Sequence, residues 1–207
     1  MIGTLYIISA PPGAGKTSLV RGLVKQQPGL DVSVSHTTRP RRDGERDGVD
    51  YHFTDSERFQ AMVEAGDFLE HARVFDNLYG TSRSSVEAEL NQGRDVILEI
   101  DWQGAQQVRA ALPDSVSIFI LPPSRQELAH RLRGRGQDSE DVIARRLQAA
   151  EAEIGHYHEY EFLIVNDSFD RALAELRTIV EARRLRLAAQ QRRWSQVLAD
   201  LLPASSG

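Results

Sequence analysis

Apolar residues fall into short continuous runs separated by stretches of helical spacing. Leu5-Tyr6-Ile7-Ile8, Asp95-Val96-Ile97-Leu98-Glu99-Ile100-Asp101, Ser117-Ile118-Phe119-Ile120-Leu121 and Phe162-Leu163-Ile164-Val165 read as buried strands, and Val32-Ser33-Val34-Ser35 as a shorter one. Leu19, Val20, Leu23 and Val24 share a helical face that stops at Gln27-Pro28-Gly29. Thr54-Asp55-Ser56-Glu57 reads as a capping box opening a helix with Phe59, Met62 and Val63 inside, ended by Gly66. Phe68 to Phe75 predicts a strand, Asn77-Leu78-Tyr79-Gly80-Thr81 a turn, and residues from about 83 to 91 a helix closed by Gly93. Later helices carry Leu128 and Leu132, then Val142, Ile143, Leu147 and Ile154, then Phe169, Leu173, Leu176 and Val180. Strands alternating with helices predict an α/β fold with a central, mostly parallel sheet flanked by helices. The polar segment 35–81 interrupts that alternation as a small inserted lobe.

The first strand meets the first helix through Ala10-Pro11-Pro12-Gly13-Ala14-Gly15-Lys16-Thr17. Strand, glycine-rich turn, Lys-Thr and helix together make a phosphate-binding loop. Gly13 and Gly15 let successive backbone N–H groups point at phosphate oxygens, and the helix adds its positive N-terminal end. Lys16 can then reach β- and γ-phosphates, and the Thr17 hydroxyl can hold Mg²⁺. Ala10 stands where the pattern usually has its first glycine, a position that needs less backbone freedom than the inner turn.

Composition sharpens this. Of 25 basic residues only Lys16 and Lys25 are lysines, so a lysine at the loop marks a place where a compact ammonium is required. A net charge of −5 argues against a nucleic-acid or anionic-membrane partner. Without cysteine there is no disulfide, thiol catalysis or thiolate metal site. No apolar run approaches the ~20 residues of a membrane span. No basic-then-apolar leader precedes the first strand, so the expected location is cytoplasmic.

Three further groups carry candidate chemistry. The loop from His36 to Tyr51 holds Arg39, Arg41, Arg42 and Arg46, which suit an anion-binding loop or, alternatively, a solvated charged one. Glu99 and Asp101 end a core strand on one side by period-two alternation, where open parallel sheets bind ligands. Asp101 reads as the acidic partner of Mg²⁺ or its waters, or else as half of an internal salt bridge, and Glu99 as serving a second substrate. Arg131, Arg133, Arg135, Arg145 and Arg146 crowd around Gly134-Arg135-Gly136, with Asp138 or Ser139 capping the next helix; this could be a closing lid or an exposed basic hairpin. The six histidines have no metal-ligand spacing, and Trp102 reads as packing. The Arg-rich end from Arg183 to Arg193, running on to Trp194, Val197, Leu198 and Leu201, is a solvated helix face or the surface of a homo-oligomer.

Taken in order, the phosphate loop, Val34-Ser35-His36-Thr37-Thr38-Arg39, Asp50-Tyr51, Phe68-Leu69-Glu70-His71-Ala72, Tyr79-Gly80-Thr81, Ile100-Asp101-Trp102-Gln103-Gly104, Arg131-Leu132-Arg133-Gly134-Arg135-Gly136 and Ile164-Val165-Asn166-Asp167 resemble the guanylate kinase family of P-loop nucleoside monophosphate kinases, from about residue 3 to 190. The resemblance implies a P-loop core of residues 1–34, 82–124 and 148–207, a GMP-binding lobe of 35–81 and a lid of 125–147. It implies phosphoryl transfer from Mg²⁺-ATP to GMP, and to dGMP. Ser35, Glu70 and Glu99 would read guanine, and Arg39, Arg42, Tyr51 and Tyr79 would hold the GMP phosphate, with Thr81 assisting. Residues 10–17, Arg131, Arg135, Arg146 and Asn166 would serve ATP, with Lys16, Arg39 and the lid arginines catalytic and Thr17 and Asp101 toward the metal, the latter through water. The family usually has aspartate where this chain has Glu99, and here Pro40 follows Arg39 directly, so Arg42 is chosen over Arg41 by spacing.

Three rivals are weaker. A GTPase needs Asn-Lys-x-Asp, but Lys16 follows Gly15 and Lys25 follows Val24. A non-catalytic guanylate-kinase-like module could lose its phosphate loop, whereas Lys16 and Thr17 are present. A related kinase of another small molecule would not need Ser35, Glu70 and Tyr79 together.

Overall fold

The structure is a computed structural model that describes residues 2–74, 76–134 and 140–202. In chain order its elements are β1 (Leu5–Ser9), α1 (Lys16–Gln26), β2 (Leu30–Val32), β3 (His36–Thr37), β4 (His52–Phe53), α2 (Ser56–Ala65), β5 (Phe68–Val74), β6 (Asn77–Ser82) and α3 (Arg83–Asn91). There follow β7 (Asp95–Glu99), α4 (Trp102–Ala111), β8 (Val116–Leu121), α5 (Arg125–Arg133), α6 (Glu140–Ile154), β9 (Phe162–Val165), α7 (Phe169–Arg184), α8 (Leu187–Arg193) and α9 (Ser195–Leu201).

The apolar runs build a five-stranded parallel sheet in the order β2-β7-β1-β8-β9. Alternation sorts its side chains. Tyr6, Ile8, Ile97, Ile118, Ile120 and Ile164 pack on one face with Leu19, Val20 and Leu23 of α1 and Leu173, Leu176 and Val180 of α7. Leu5, Ile7, Val96 and Leu98 pack on the other with Val86 and Leu90 of α3 and Ala105 and Val108 of α4. Each such fully buried side chain stabilises the fold by about 1.5–3 kcal/mol, before cavity effects. The chain leaves β1 toward β2 on one side and β8 toward β9 on the other, so a crevice opens above the carboxyl end of β1.

The inserted segment forms a second sheet, β4-β3-β6-β5, with β5 and β6 antiparallel. Asn77–Thr81 is strand rather than turn. Gly80 lies against the rings of Phe68 and Phe59, where an added Cβ would come within 2.9 Å of Phe68, so the glycine marks close packing. The expected strand Val32–Ser35 is shifted to Leu30–Val32: Ser33 N–H still donates to Ile97 O of β7 at 3.0 Å, but the Ser35 carbonyl already accepts His52 N–H of the second sheet at 2.9 Å. The helix cap is Asp55, whose carboxylate accepts Arg58 N–H at 2.7 Å, one residue beyond Thr54. The arginine-rich end is broken into α7, α8 and α9 without glycine or proline, and α8 and α9 bury no residue that would hold them as one helix. Asp138 and Ser139 lie outside the described residues. No described helix is long and apolar enough to cross a membrane.

Asp95 joins the start of β7 to two distant elements. One oxygen accepts Thr4 N–H at 2.8 Å and the other accepts Arg184 Nε at 2.8 Å. Asp95→Ala leaves the Thr4 amide without its acceptor and removes the counter-charge of Arg184, whose guanidinium keeps Gln27 Oε1 at 2.9 Å and Pro28 O at 3.2 Å. It is expected to lower stability by about 2 kcal/mol in urea unfolding, while Asp95→Asn, which still accepts from Thr4, loses less.

Candidate active site

The phosphate loop has the geometry its glycines imply. Gly13 and Gly15 have φ of 91° and 94°, left-handed values costly for any side chain bearing a Cβ. Gly15 is the N-cap of α1 and offers no capping side chain, unlike Asp55, Ser82, Asp101 and Ser124 at α2, α3, α4 and α5. The first-turn N–H groups of α1 are therefore left for an anion. Lys16 and Thr17 open that turn.

A cleft of about 310 Å³ is lined by Ala10, Pro11, Pro12, Gly13, Gly15, Lys16 and Thr17, by Tyr51, Val74 and Tyr79, and by Glu99, Ile100, Asp101 and Glu153. It joins the loop after β1 to the second sheet. Two larger clefts, of about 400 and 520 Å³, contain none of the phosphate-loop residues.

The strand-end acids differ from expectation. β7 stops at Glu99, so strand alternation does not extend to Asp101. Glu99 Oε2 accepts the Thr17 hydroxyl at 3.2 Å, tying it to the phosphate loop. Asp101 is the N-cap of α4, accepting Gly104 N–H and Gln103 Nε2–H at 3.0 Å each. Both acids line the cleft.

On the second sheet, Glu70 is 3 % exposed and accepts the Thr81 hydroxyl at 2.6 Å, with Ser35 Oγ 3.4 Å beyond. A Cβ at Gly104 would collide with this carboxylate. Burial pushes Glu70 up to about 7, with Asp101 adding to the rise and the Thr81 hydrogen bond and Lys16 opposing it. The carboxylate thus has one oxygen engaged and remaining lone pairs for paired N–H donors.

Arg39 is held by Glu45 at 2.7 Å and lies over the Tyr51 ring at 5.3 Å, and Tyr51 meets Tyr79 edge-on at 6.0 Å. The Glu45 hydrogen bond raises the Arg39 pKa and burial raises that of Tyr51, so the guanidinium and the Tyr51 phenol stand protonated side by side. Arg42 is exposed, with its backbone N–H bonded to Glu45. Glu45, which orders this arginine loop, was not singled out by the sequence; its alternation with arginines was the available signal.

On the helical pair, Arg131 Nε donates to Glu127 at 2.8 Å and its other nitrogen to Asn166 O at 3.2 Å. Asn166 is buried and gives its side-chain amide to Ala14 O at 2.7 Å, so it braces the phosphate loop directly. Arg146 is half-buried on α6, and Arg135 lies outside the described residues. Glu153, missed in the sequence, is pushed up to about 7, first by burial and then by Asp101. A glutamate beside the apolar stripe of Ile143, Leu147, Ala150 and Ile154 was the signal. Among the described residues no group of three or more acids and histidines forms a metal cage.

This geometry matches known proteins. A family model described as guanylate kinase matches residues 2–183. A guanylate kinase of Alkalilimnicola ehrlichii is 61% identical over 98% of this chain and all of that one, and one of Alcanivorax borkumensis is 62% identical over 97% of each. The crystal structure of guanylate kinase from Anaplasma phagocytophilum, 33% identical, superposes with a TM-score of 0.74 over 90% of this chain and 88% of that one. With its phosphate loop facing a second sheet across one cleft, the chain belongs to the guanylate kinase family, nucleoside monophosphate kinases that phosphorylate GMP with ATP.

Proposed function

We propose that GMP is held by the second sheet and ATP by the phosphate loop, with the reacting phosphates meeting in the cleft between them. The observation that carries this reading is the shared lining of that cleft by residues 10–13 and 15–17 together with Tyr51 and Tyr79. Segment 35–81 then acts as the GMP-binding lobe and 125–147 as a lid on the core. Guanine offers N1–H and N2–H₂ side by side, and the Glu70 carboxylate accepts both, oriented by Thr81 and Ser35. Adenine has no such donor pair, so the buried acid would be left unpaired and the wrong base rejected. The donor pair read by Glu70 belongs to the base, which dGMP shares, so dGMP should also be a substrate. Arg39, Tyr51 and Tyr79 take the GMP phosphate, with Arg42 at the outer rim.

Thr17 and the nearby acids fit a magnesium ion, which keeps several waters and takes few direct protein ligands. Thr17, with Glu99 and Asp101 through water, would hold it, and the Thr17–Glu99 hydrogen bond favours a place for Glu99 beside the metal over one in guanine recognition. Bound Mg²⁺ supplies neutralisation of charge on the triphosphate. A GMP phosphate oxygen attacks the γ-phosphorus, and the bond to the β–γ bridging oxygen breaks, giving GDP and ADP. The nucleophile is already anionic, so no general base is required. Lys16 and the arginines Arg39, Arg131, Arg135 and Arg146 position and neutralise the transferring group, while Asn166 fixes the loop that cradles it.

The test offers GMP, dGMP, AMP, CMP and UMP separately with Mg²⁺-ATP and follows ADP release. Turnover with GMP and dGMP exceeds that with the other three by about 10³-fold or more. Comparable turnover with AMP would overturn the guanine assignment.

A further inference from the structure

Glu153 is a buried carboxylate that the reaction as described does not use. It sits in the last turn of α6, and its Oε1 accepts the backbone N–H of Trp102 at 3.1 Å. That N–H belongs to the first turn of α4, where helix geometry leaves donors unpaired. Asp101 takes one of them, Gly104 N–H, and Glu153 takes another. Just beyond α6, the His156 ring stacks on the Trp102 indole with centroids 3.7 Å apart and planes 5° apart. His156 Nδ1 lies 2.6 Å from Glu159 Oε1, and Glu159 Oε2 accepts from Arg109 at 2.8 Å and Gln106 at 3.0 Å. Trp102, Gln106 and Arg109 lie on successive turns of α4, so segment 153–159 grips that helix along its length.

The two ends of this grip matter. Ile100 and Asp101 separate α4 from Glu99, the last residue of β7, and Asp101 is the α4 N-cap. α6 packs on α5 through Leu128, Leu132 and Ala150, with Leu147 and Ile154 against them, and Arg125 bonds Glu151 at 2.5 Å. Those two helices carry Arg131 and Arg146. A side chain needed only for packing at this position would be apolar, since burying a carboxylate is costly.

We propose that Glu153 is a positioning residue: its carboxylate clamps the base of the α5–α6 pair to the first turn of α4, and so sets where the lid arginines meet the triphosphate. The proposal rests on the lid reading given above. It acts through the Trp102 hydrogen bond, so an amide in place of the acid keeps it working.

Steady-state kinetics on the full chain, varying ATP and GMP separately, test it with Glu153→Ala, Glu153→Gln and Arg131→Ala. Glu153→Ala is expected to lower kcat about tenfold and raise the KM for ATP about tenfold, with the KM for GMP within about twofold. Glu153→Gln stays within about threefold of the parent on every constant. An unchanged KM for ATP in Glu153→Ala, or Glu153→Gln as impaired as Glu153→Ala, overturns the clamp. Arg131→Ala separates the two layers. If it raises the KM for ATP while Glu153→Ala does not, the clamp alone fails; if it leaves that KM unchanged, the lid reading beneath fails. Should Glu153→Ala not fold, His156→Ala carries the test by removing the stacking half without stranding a buried charge. A raised KM for ATP with unchanged KM for GMP supports the clamp, and an unchanged KM for ATP overturns it.

Discussion

Lys16→Ala lowers kcat by about 10³-fold and leaves the KM for GMP within about threefold. The first turn of α1 has no capping side chain and no acid of its own, so its N–H groups are left for the phosphates that the Lys16 ammonium reaches. The backbone N–H groups survive the substitution and still bind ATP, which is why the loss falls mainly on the transition state, where charge spreads over the transferring phosphoryl group. In the arrangement proposed above GMP is held across the cleft by Arg39, Tyr51, Tyr79 and Glu70, so its binding should not need the lysine. Lys16→Arg is the sharper comparison. The chain uses arginine at 23 of its 25 basic positions, yet a planar, delocalised guanidinium does not reproduce the compact point charge that a lysine places between β- and γ-phosphates. Lys16→Arg should therefore recover little of the lost kcat. Calorimetric GMP affinity beside steady-state rates checks both; near-parental turnover of either variant would remove Lys16 from the chemistry.

The central sheet was legible because its strands are continuous apolar runs, and the phosphate loop because its glycines, lysine and threonine have few alternative uses. The second sheet was harder. β3 and β4 are two residues each and rest on cross-chain pairing instead of their own periodicity, and β6 carries the Asn, Tyr, Gly and Thr of a turn. Pairing with β5 on one edge and β3 on the other, with Gly80 packed closely on Phe68, is what holds those residues extended. At the site, residue types were readable but their partners were not. Glu99 and Asp101 look equivalent on a strand, yet the strand ends between them, sending one to Thr17 and the other to a helix cap. Asn166 was read as serving ATP, and its side-chain amide donates to Ala14 O in the phosphate loop, a contact 152 residues away in sequence that no local pattern encodes.

Glu70→Gln raises the KM for GMP by about 10²- to 10³-fold, changes the KM for ATP less than about twofold and removes a pH dependence. An amide can present its oxygen to only one guanine donor and then turns its own N–H₂ toward the other, so a paired acceptor becomes a donor clash. Equal effects on both substrates would sink the guanine-reading role. The pH dependence follows from burial. In the free enzyme Glu70 is pushed from 4.5 up to about 7, so at pH 6 it is largely protonated and must lose that proton before it can accept both guanine donors. The KM for GMP should therefore rise as pH falls below about 7, approaching tenfold per unit, on top of the phosphate's own ionisation near ~6. Glu70→Gln keeps the phosphate's share and loses the other. Stability moves in the opposite sense. Between 4.5 and about 7 the folded chain holds a proton that the unfolded chain has released, so this group makes the free enzyme less stable as pH rises through that window. Glu70→Gln should then be more stable than the parent at pH 8, by about 1–2 kcal/mol, and nearly equal to it at pH 4. Glu153 titrates over the same range and is untouched by the substitution, so part of the parental slope persists. A variant that binds its substrate worse yet melts higher at pH 8 is the signature of a carboxylate kept buried for recognition at the expense of stability, and one that melts lower would show Glu70 to be a structural acid.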